Sequence, residues 1–216
     1  MRIAALLVLL VGTASAAPDA PPPVGKLPAH YAKLFVEGTV WIYDAKVVTW
    51  DYVWLETHDK KPWKKATEKL PPTTCKVVKV TTFAASIASQ VTCDGHPFGE
   101  GKQWKFPVPA IYVATAKGLF IPNLAEVPTT EPSLEDATLV IAAKPKVTKK
   151  VQRTADDPGA FVVTSGVRRE RSAWCVFSST RGAPHDGEST ICYGGGITSG
   201  RNDISGELHD ASFKAR

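Results

Sequence analysis

The side chains with the most reactive chemistry in this 216-residue chain are four cysteines, Cys75, Cys93, Cys175 and Cys192. An even cysteine count in an exported protein points to disulfides, and four cysteines allow three connectivities. Spacing favours one of them. Cys75 and Cys93 enclose almost the same length of chain as Cys175 and Cys192, and each pair brackets two strand-like runs around a turn. In the first, Lys76 to Thr82 and Ile87 to Thr92 flank Phe83 to Ser86, so a hairpin would bring the sulfurs together at its open end. In the second, Val176 to Ser178 and Ser189 to Ile191 flank the turn-rich stretch from Arg181 to Glu188. Closing loops of this length contributes about 3 kcal/mol each by constraining the unfolded chain. A catalytic or metal-binding thiol would want a spacing such as C-x-x-C together with a histidine, and no C-x-x-C occurs.

Other catalytic arrangements fare no better. His30, His58, His96, His185 and His209 include no H-x-x-x-H pair. His185-Asp186-Gly187-Glu188 and Cys93-Asp94-Gly95-His96 sit where turn residues are expected for backbone reasons. There is no G-x-S-x-G elbow, and the glycine pairs lack the lysine-serine ending of a phosphate loop. The acidic dipeptides Glu135-Asp136 and Asp156-Asp157 would point to opposite faces of a strand, which suits them poorly as acid and base. The expectation is a non-catalytic protein with no metal and no cofactor.

Two clusters suit binding. Trp50, Tyr52 and Trp54 alternate along one run, and Trp41 and Tyr43 precede them on what reads as a neighbouring strand. Such an aromatic face either lines a cavity for a lipid or other apolar ligand or packs as core. The segment Asp59-Lys60-Lys61-Pro62-Trp63-Lys64-Lys65, followed by Lys69, sets a tryptophan among lysines, a pattern suited to an anionic envelope surface or to a solvated hairpin tip. Lys144 to Arg153 and Arg168, Arg169 and Arg171 are further basic stretches, which strand alternation would divide between faces.

The elements that must position these residues read as strands. Candidates are Val36 to Tyr43, Lys46 to Glu56, the two runs of the first cysteine hairpin, Ala110 to Ala114, Thr138 to Ala142, Val147 to Val151, Ala160 to Thr164, Arg171 to Phe177, Ser189 to Tyr193 and Gly206 to Phe213. The best helical candidate is a turn or two around Ser133 to Asp136, with Ser133 as cap. Repeated hairpin signals without long helical crossovers indicate a mainly β protein built on antiparallel sheet.

Residues 1 to 16 read as a secretory signal: Arg2, an apolar run from Ile3 to Val11, and small residues at Ala14-Ser15-Ala16. Residues 17 to 29 form a proline-rich tether, and residues 30 to 216 a single β-rich domain. The apolar run falls short of the roughly 20 residues that a spanning helix needs, so no transmembrane segment is expected. The chain carries 26 Lys and Arg against 21 acids, too small a surplus to suggest nucleic acid. Neither asparagine starts a glycosylation triplet, which fits a bacterial, periplasmic or secreted protein.

Gly38-Thr39-Val40-Trp41-Ile42-Tyr43 and Ile191-Cys192-Tyr193-Gly194-Gly195-Gly196-Ile197, the latter followed by a final strand, resemble a G-x-x-W-x-Y opening and a W-Y-A-P-G-V-G-like closing strand. These occur in exported bacterial β-sheet proteins, some similar to the half-barrel of the lipoprotein-localisation carriers. Here Gly194-Gly195 stands where the pattern has Ala-Pro. The resemblance implies a curved antiparallel sheet, a half-barrel or open barrel, around an apolar cavity with a helix or loop as lid. Together these readings lead to the expectation of a carrier for an apolar or amphiphilic ligand, with an anionic-surface interaction module using residues 59–69 as the alternative.

Overall fold

The computed structural model describes residues 25–51, 64–94, 108, 110–153, 161–181, 187–204 and 209–215, with side chains described throughout except at 48–51, 64–66, 202–204 and 209–211. Among the described residues, a short 3₁₀ helix, Ala32–Phe35, precedes thirteen strands. The strands are β1 (Val40–Asp51), β2 (Lys64–Lys69), β3 (Thr73–Thr82), β4 (Ser86–Cys93), β5 (Ala110–Thr115), β6 (Gly118–Ile121), β7 (Thr138–Ala142), β8 (Thr148–Arg153), β9 (Val162–Glu170), β10 (Ala173–Arg181), β11 (Gly187–Tyr193), β12 (Ile197–Ile204) and β13 (His209–Ala215). All belong to one antiparallel sheet in the order β7-β6-β5-β4-β3-β1-β13-β12-β11-β10-β9-β8, with β2 beside β1. The mainly β, antiparallel expectation holds.

The topology is two meanders joined at the middle by the first and last strands. Laid flat, twelve adjacent strands would span about 50 Å. The two edge strands, β7 and β8, are nevertheless joined by residues 143–147 alone, and a link of that length reaches about 20 Å at most. The sheet therefore has to curl. Its edges do not pair with each other among the described residues, so the curl stays open.

Curling gives the sheet an inner and an outer face, and alternation sorts side chains between them. Along β1, Tyr43, Ala45 and Val47 are buried while Ile42, Asp44 and Lys46 are exposed. Tyr43, Ala45, Val47, Cys75, Val91, Tyr112, Leu119, Ile141, Tyr193, Ile197 and Phe213 form one core, drawing on both meanders and on edge strand β7. Tyr31, Leu34 and Phe35, from the 3₁₀ segment, complete it. Backbone bonds hold that segment in place: Lys33 N–H donates to Gly195 O (2.7 Å) and Gly195 N–H donates to His30 O (2.8 Å). Gly195 has φ of 100°, a conformation open to glycine at little cost. A second, smaller core of Ala88, Ile111, Val113 and Val127 lies outside β4 and β5. The loop that covers it is fixed by Glu131, whose carboxylate accepts from Ser86 Oγ and from Ala85 N–H.

Three sequence expectations need correction. Val36 to Tyr43 and Lys46 to Glu56 are not two strands; β1 runs without a break through Asp44-Ala45, a pair with no glycine or proline to turn the chain. Its long span lets β3 pair with its first part and β2 with its second, the two separated by Leu70-Pro71-Pro72. Ser133 to Asp136 is a turn, in which Ser133 Oγ accepts from Glu135 N–H and Ala137 N–H bonds Leu134 O. Arg171 is not in a strand: Glu170 faces Ala173 across the sheet, so Arg171-Ser172 is a two-residue hairpin turn with Arg171 at φ of 52°.

Four fully buried tyrosines give the core a titration signature. Burial pushes the Tyr31 phenol up to about 12 and pushes Tyr43, Tyr112 and Tyr193 well up too, with the nearby Tyr43 phenol adding to the effect at Tyr112 and Tyr193, and Tyr193 adding to it at Tyr112. Below pH 10 the folded and unfolded chains hold the same phenol protons. Above it the unfolded chain releases them first, so stability falls as pH rises through 10 toward 12. Absorbance near 295 nm is expected to show Tyr31, Tyr43, Tyr112 and Tyr193 ionising only with cooperative unfolding above pH 10. Ordinary titration of these four in a still-folded protein would contradict the buried placement.

Candidate functional site

Both disulfides form as spacing proposes. Cys75 faces Cys93 across β3 and β4, and Cys175 faces Cys192 across β10 and β11, each with Cα atoms 4.0 Å apart. They lie on opposite faces of the sheet. Cys75 belongs to the inner core with Cys93 packed against it. Cys192 is in register with Ser199, Ser199 with Lys214, and Lys214 with Asp44, which places the second bridge on the outer face.

That outer face carries a groove of about 920 Å³. Register arranges its lining in rows that cross the strands. One row runs Lys69, Lys46, Ser212, Arg201, Thr190 from β2 to β11. The next runs Asp44, Lys214, Ser199, Cys192 from β1 to β11 and reaches Arg168 on β9 across Cys175, which itself does not line the groove. Leu70 and Pro72 contribute apolar surface at the β1 end, while Ala45 and Phe213 border the groove with their side chains turned into the inner core.

Arg168 organises the far wall. Its Nε donates to Glu170 Oε1 (2.6 Å), and Nη1 and Nη2 donate to Glu188 Oε1 (3.1 and 3.2 Å). Nη2 also donates to Thr190 Oγ1 (3.3 Å), whose hydroxyl donates to Glu188 Oε1 (3.1 Å). The guanidinium lies 5.1 Å from the Phe177 ring centre, a cation–π contact. Partial burial works against the Arg168 charge, but Glu170 and Glu188 outweigh it and hold the group above its ordinary value. Arg169 points the other way, over Trp174 at 5.7 Å, so alternation does divide this basic stretch. Glu170 and the sulfurs of Cys175 and Cys192 lie close enough to suggest a metal ligand set, yet both sulfurs are used in the disulfide.

The residues singled out in the sequence fall in several places. Tyr43 is buried; its hydroxyl donates to Ile197 O (2.8 Å) and its ring meets Phe213 edge to face at 5.1 Å. Trp41 is half-buried against the same core and packs over Gly196, where an added Cβ would sit 2.6 Å from its ring. The two stretches that carry the family likeness thus touch through Trp41 and Gly196, and through Tyr43 and Ile197. Trp50 lies on β1 opposite Lys65, and Lys64 opposite Asp51, on backbone whose side chains are not described. Tyr52, Trp54, Lys60, Lys61 and Trp63 lie outside the described residues.

Sequence reading passed over Lys46, Arg201, Lys214, Glu170 and Glu188 as a group. The available signal was the polar alternation Asp44, Lys46 within an apolar strand, but it is informative only once β12 and β13 are known to lie alongside. Comparison of the chain with protein families, with curated proteins and with solved structures found no match.

Substitution tests the junction of Trp41, Tyr43 and the Gly194 to Ile197 turn. Gly196→Ala forces the indole to move and is expected to cost about 1–3 kcal/mol by overpacking. Tyr43→Phe leaves Ile197 O without its donor and is expected to cost about 1 kcal/mol. Tyr193→Phe, whose buried hydroxyl has no partner, is expected to change stability little or to raise it. Urea unfolding of the three variants measures the ordering.

Proposed function

We propose that this is an exported, non-catalytic binding protein of the bacterial envelope that holds an amphiphilic ligand in the outer-face groove. The observation that carries the reading is the groove itself: its volume is of the order of ligand pockets, about 300–1,000 Å³, and its lining mixes apolar surface with convergent charged groups. The concave face, by contrast, is filled by the tyrosine-rich core and by residues 31–35. A carrier role would therefore use the convex side.

Binding is favoured over catalysis by how the groove's polar groups are used. Among the described residues no histidine and no free thiol lines it, and Arg168, Glu170, Glu188 and Thr190 bond one another. Export is supported by the leader-like residues 1–16 and by the two disulfides. Among the described residues no helix is long and apolar enough to cross a membrane. The alternative, docking of residues 59–69 on an anionic surface, is favoured by one observation: Lys69, the last residue of that segment, lines the groove.

Native mass spectrometry of the oxidised chain beginning at Ala17, before and after organic extraction, tests the reading. The expected result is a bound species that leaves on extraction, or saturable uptake of short-chain lipids by the bare protein. A bare protein that takes up no amphiphile at any concentration below micelle formation would refute it.

A further inference from the structure

We propose that the β1 end of the groove is an anion subsite for the phosphate headgroup of an anionic lipid, formed by Lys46 and Lys69 with Arg201 and Lys214 beside them. This rests on the binding role assigned to the groove and specifies its ligand. The central observation is a pairing that folding alone disfavours. Lys46 and Lys69 are direct cross-strand partners on one face, where like charges destabilise a sheet. Their Cβ atoms are held about 5 Å apart by the ladder, so both ammonium groups can reach one phosphate.

The next positions continue the pattern. Ser212 is the partner of Lys46 on the other side, and Arg201 is the partner of Ser212, so a hydroxyl and a guanidinium extend the same row. Lys214 faces Asp44 one step along the strands. The groove's acids are Asp44, Glu170 and Glu188, and the last two are engaged by Arg168 at the opposite wall. At the β1 end Lys46, Lys69, Arg201 and Lys214 stand against the single acid Asp44, so that end is the cationic one. An anion there would relieve the repulsion between the two lysines, and charge-assisted contacts to phosphate oxygens are the strong class of hydrogen bond.

Leu70 and Pro72 decide for a lipid over a free anion. Both line the groove beside Lys69, and Pro71 and Pro72 offer no N–H groups to bind a small ion's remaining oxygens. An acyl chain or glycerol backbone leaving the phosphate would meet that apolar surface. The headgroup supplies the charge and the rest of the lipid covers Leu70 and Pro72.

The test uses the mature, oxidised chain and three probes below their aggregation limits: dihexanoyl phosphatidic acid, dihexanoyl phosphatidylcholine and inorganic phosphate, each titrated by calorimetry. Phosphatidic acid is expected to bind at least about tenfold more tightly than phosphatidylcholine, and Lys46→Gln with Lys69→Gln to erase that difference by weakening phosphatidic acid, the more highly charged headgroup, far more than phosphatidylcholine. In the absence of lipid, Lys46→Gln alone is expected to raise the melting temperature at low salt, with the gain fading at high salt as the Lys46–Lys69 repulsion is screened. Equal binding of the two lipids would overturn the anion subsite and leave the binding role of the groove intact. Inorganic phosphate binding as tightly as phosphatidic acid would overturn the assignment to lipid. Failure of both lipids to bind would overturn the subsite together with the role on which it rests.

Discussion

A curled antiparallel sheet needs its inner face filled, and here the filling comes partly from outside the sheet. Tyr31, Leu34 and Phe35 enter the core from the 3₁₀ segment, and Gly195 holds that segment by bonding His30 and Lys33 from the opposite meander. The segment's Tyr31, Leu34 and Phe35 share that core with Ile141 of edge strand β7, and the His30 imidazole lies beside the Ala142 backbone at the end of that strand. One short stretch thus contacts both meanders and one open edge. It does the tying that pairing between β7 and β8 does not. Everything else follows from the curl: the apolar positions are spent on the interior, and the polar positions that alternate with them are gathered on the exterior.

Strand β1 is the seam that makes this arrangement cooperative. It bonds β13 along one side and both β3 and β2 along the other, so the two meanders cannot separate without breaking its ladder. The disulfides divide the labour between faces. Cys75–Cys93 staples a hairpin within the inner core, whereas Cys175–Cys192 forms part of the outer groove beneath Glu170 and Arg168. Two similar cysteine spacings therefore produce two different environments, because one hairpin presents its cysteines inward and the other outward.

The sequence carried much of this in local form. Hairpin signals around Phe83 to Ser86 and Arg181 to Glu188 fixed the disulfide pairing, and Thr138 to Ala142 coincides with β7. Other elements had weak local signals. β12, with Gly200, Asn202 and Asp203, has the composition of a loop and becomes a strand through its neighbours β11 and β13. β6 is four residues long, and β2 is a polar run beside β1. The break expected at Asp44-Ala45 was misleading in a consequential way, since the uninterrupted strand sets Asp44 and Lys46 on the outer face. The groove was illegible for a related reason. Its residues come from six strands, and only the register between distant segments, such as Lys46 with Lys69 and Ser212, assembles them.

The account's central claim is that recognition takes place on the outer face while the tyrosine core stays closed. Selective carbon-13 labelling of lysine and tyrosine side chains, followed by NMR during titration with an amphiphile, reports on both faces in one experiment. The account predicts saturable shifts at Lys46, Lys69 and Lys214, with the rings of Tyr43, Tyr112 and Tyr193 unmoved. Shifts at those tyrosines with the lysines silent would place the ligand inside the sheet and contradict it.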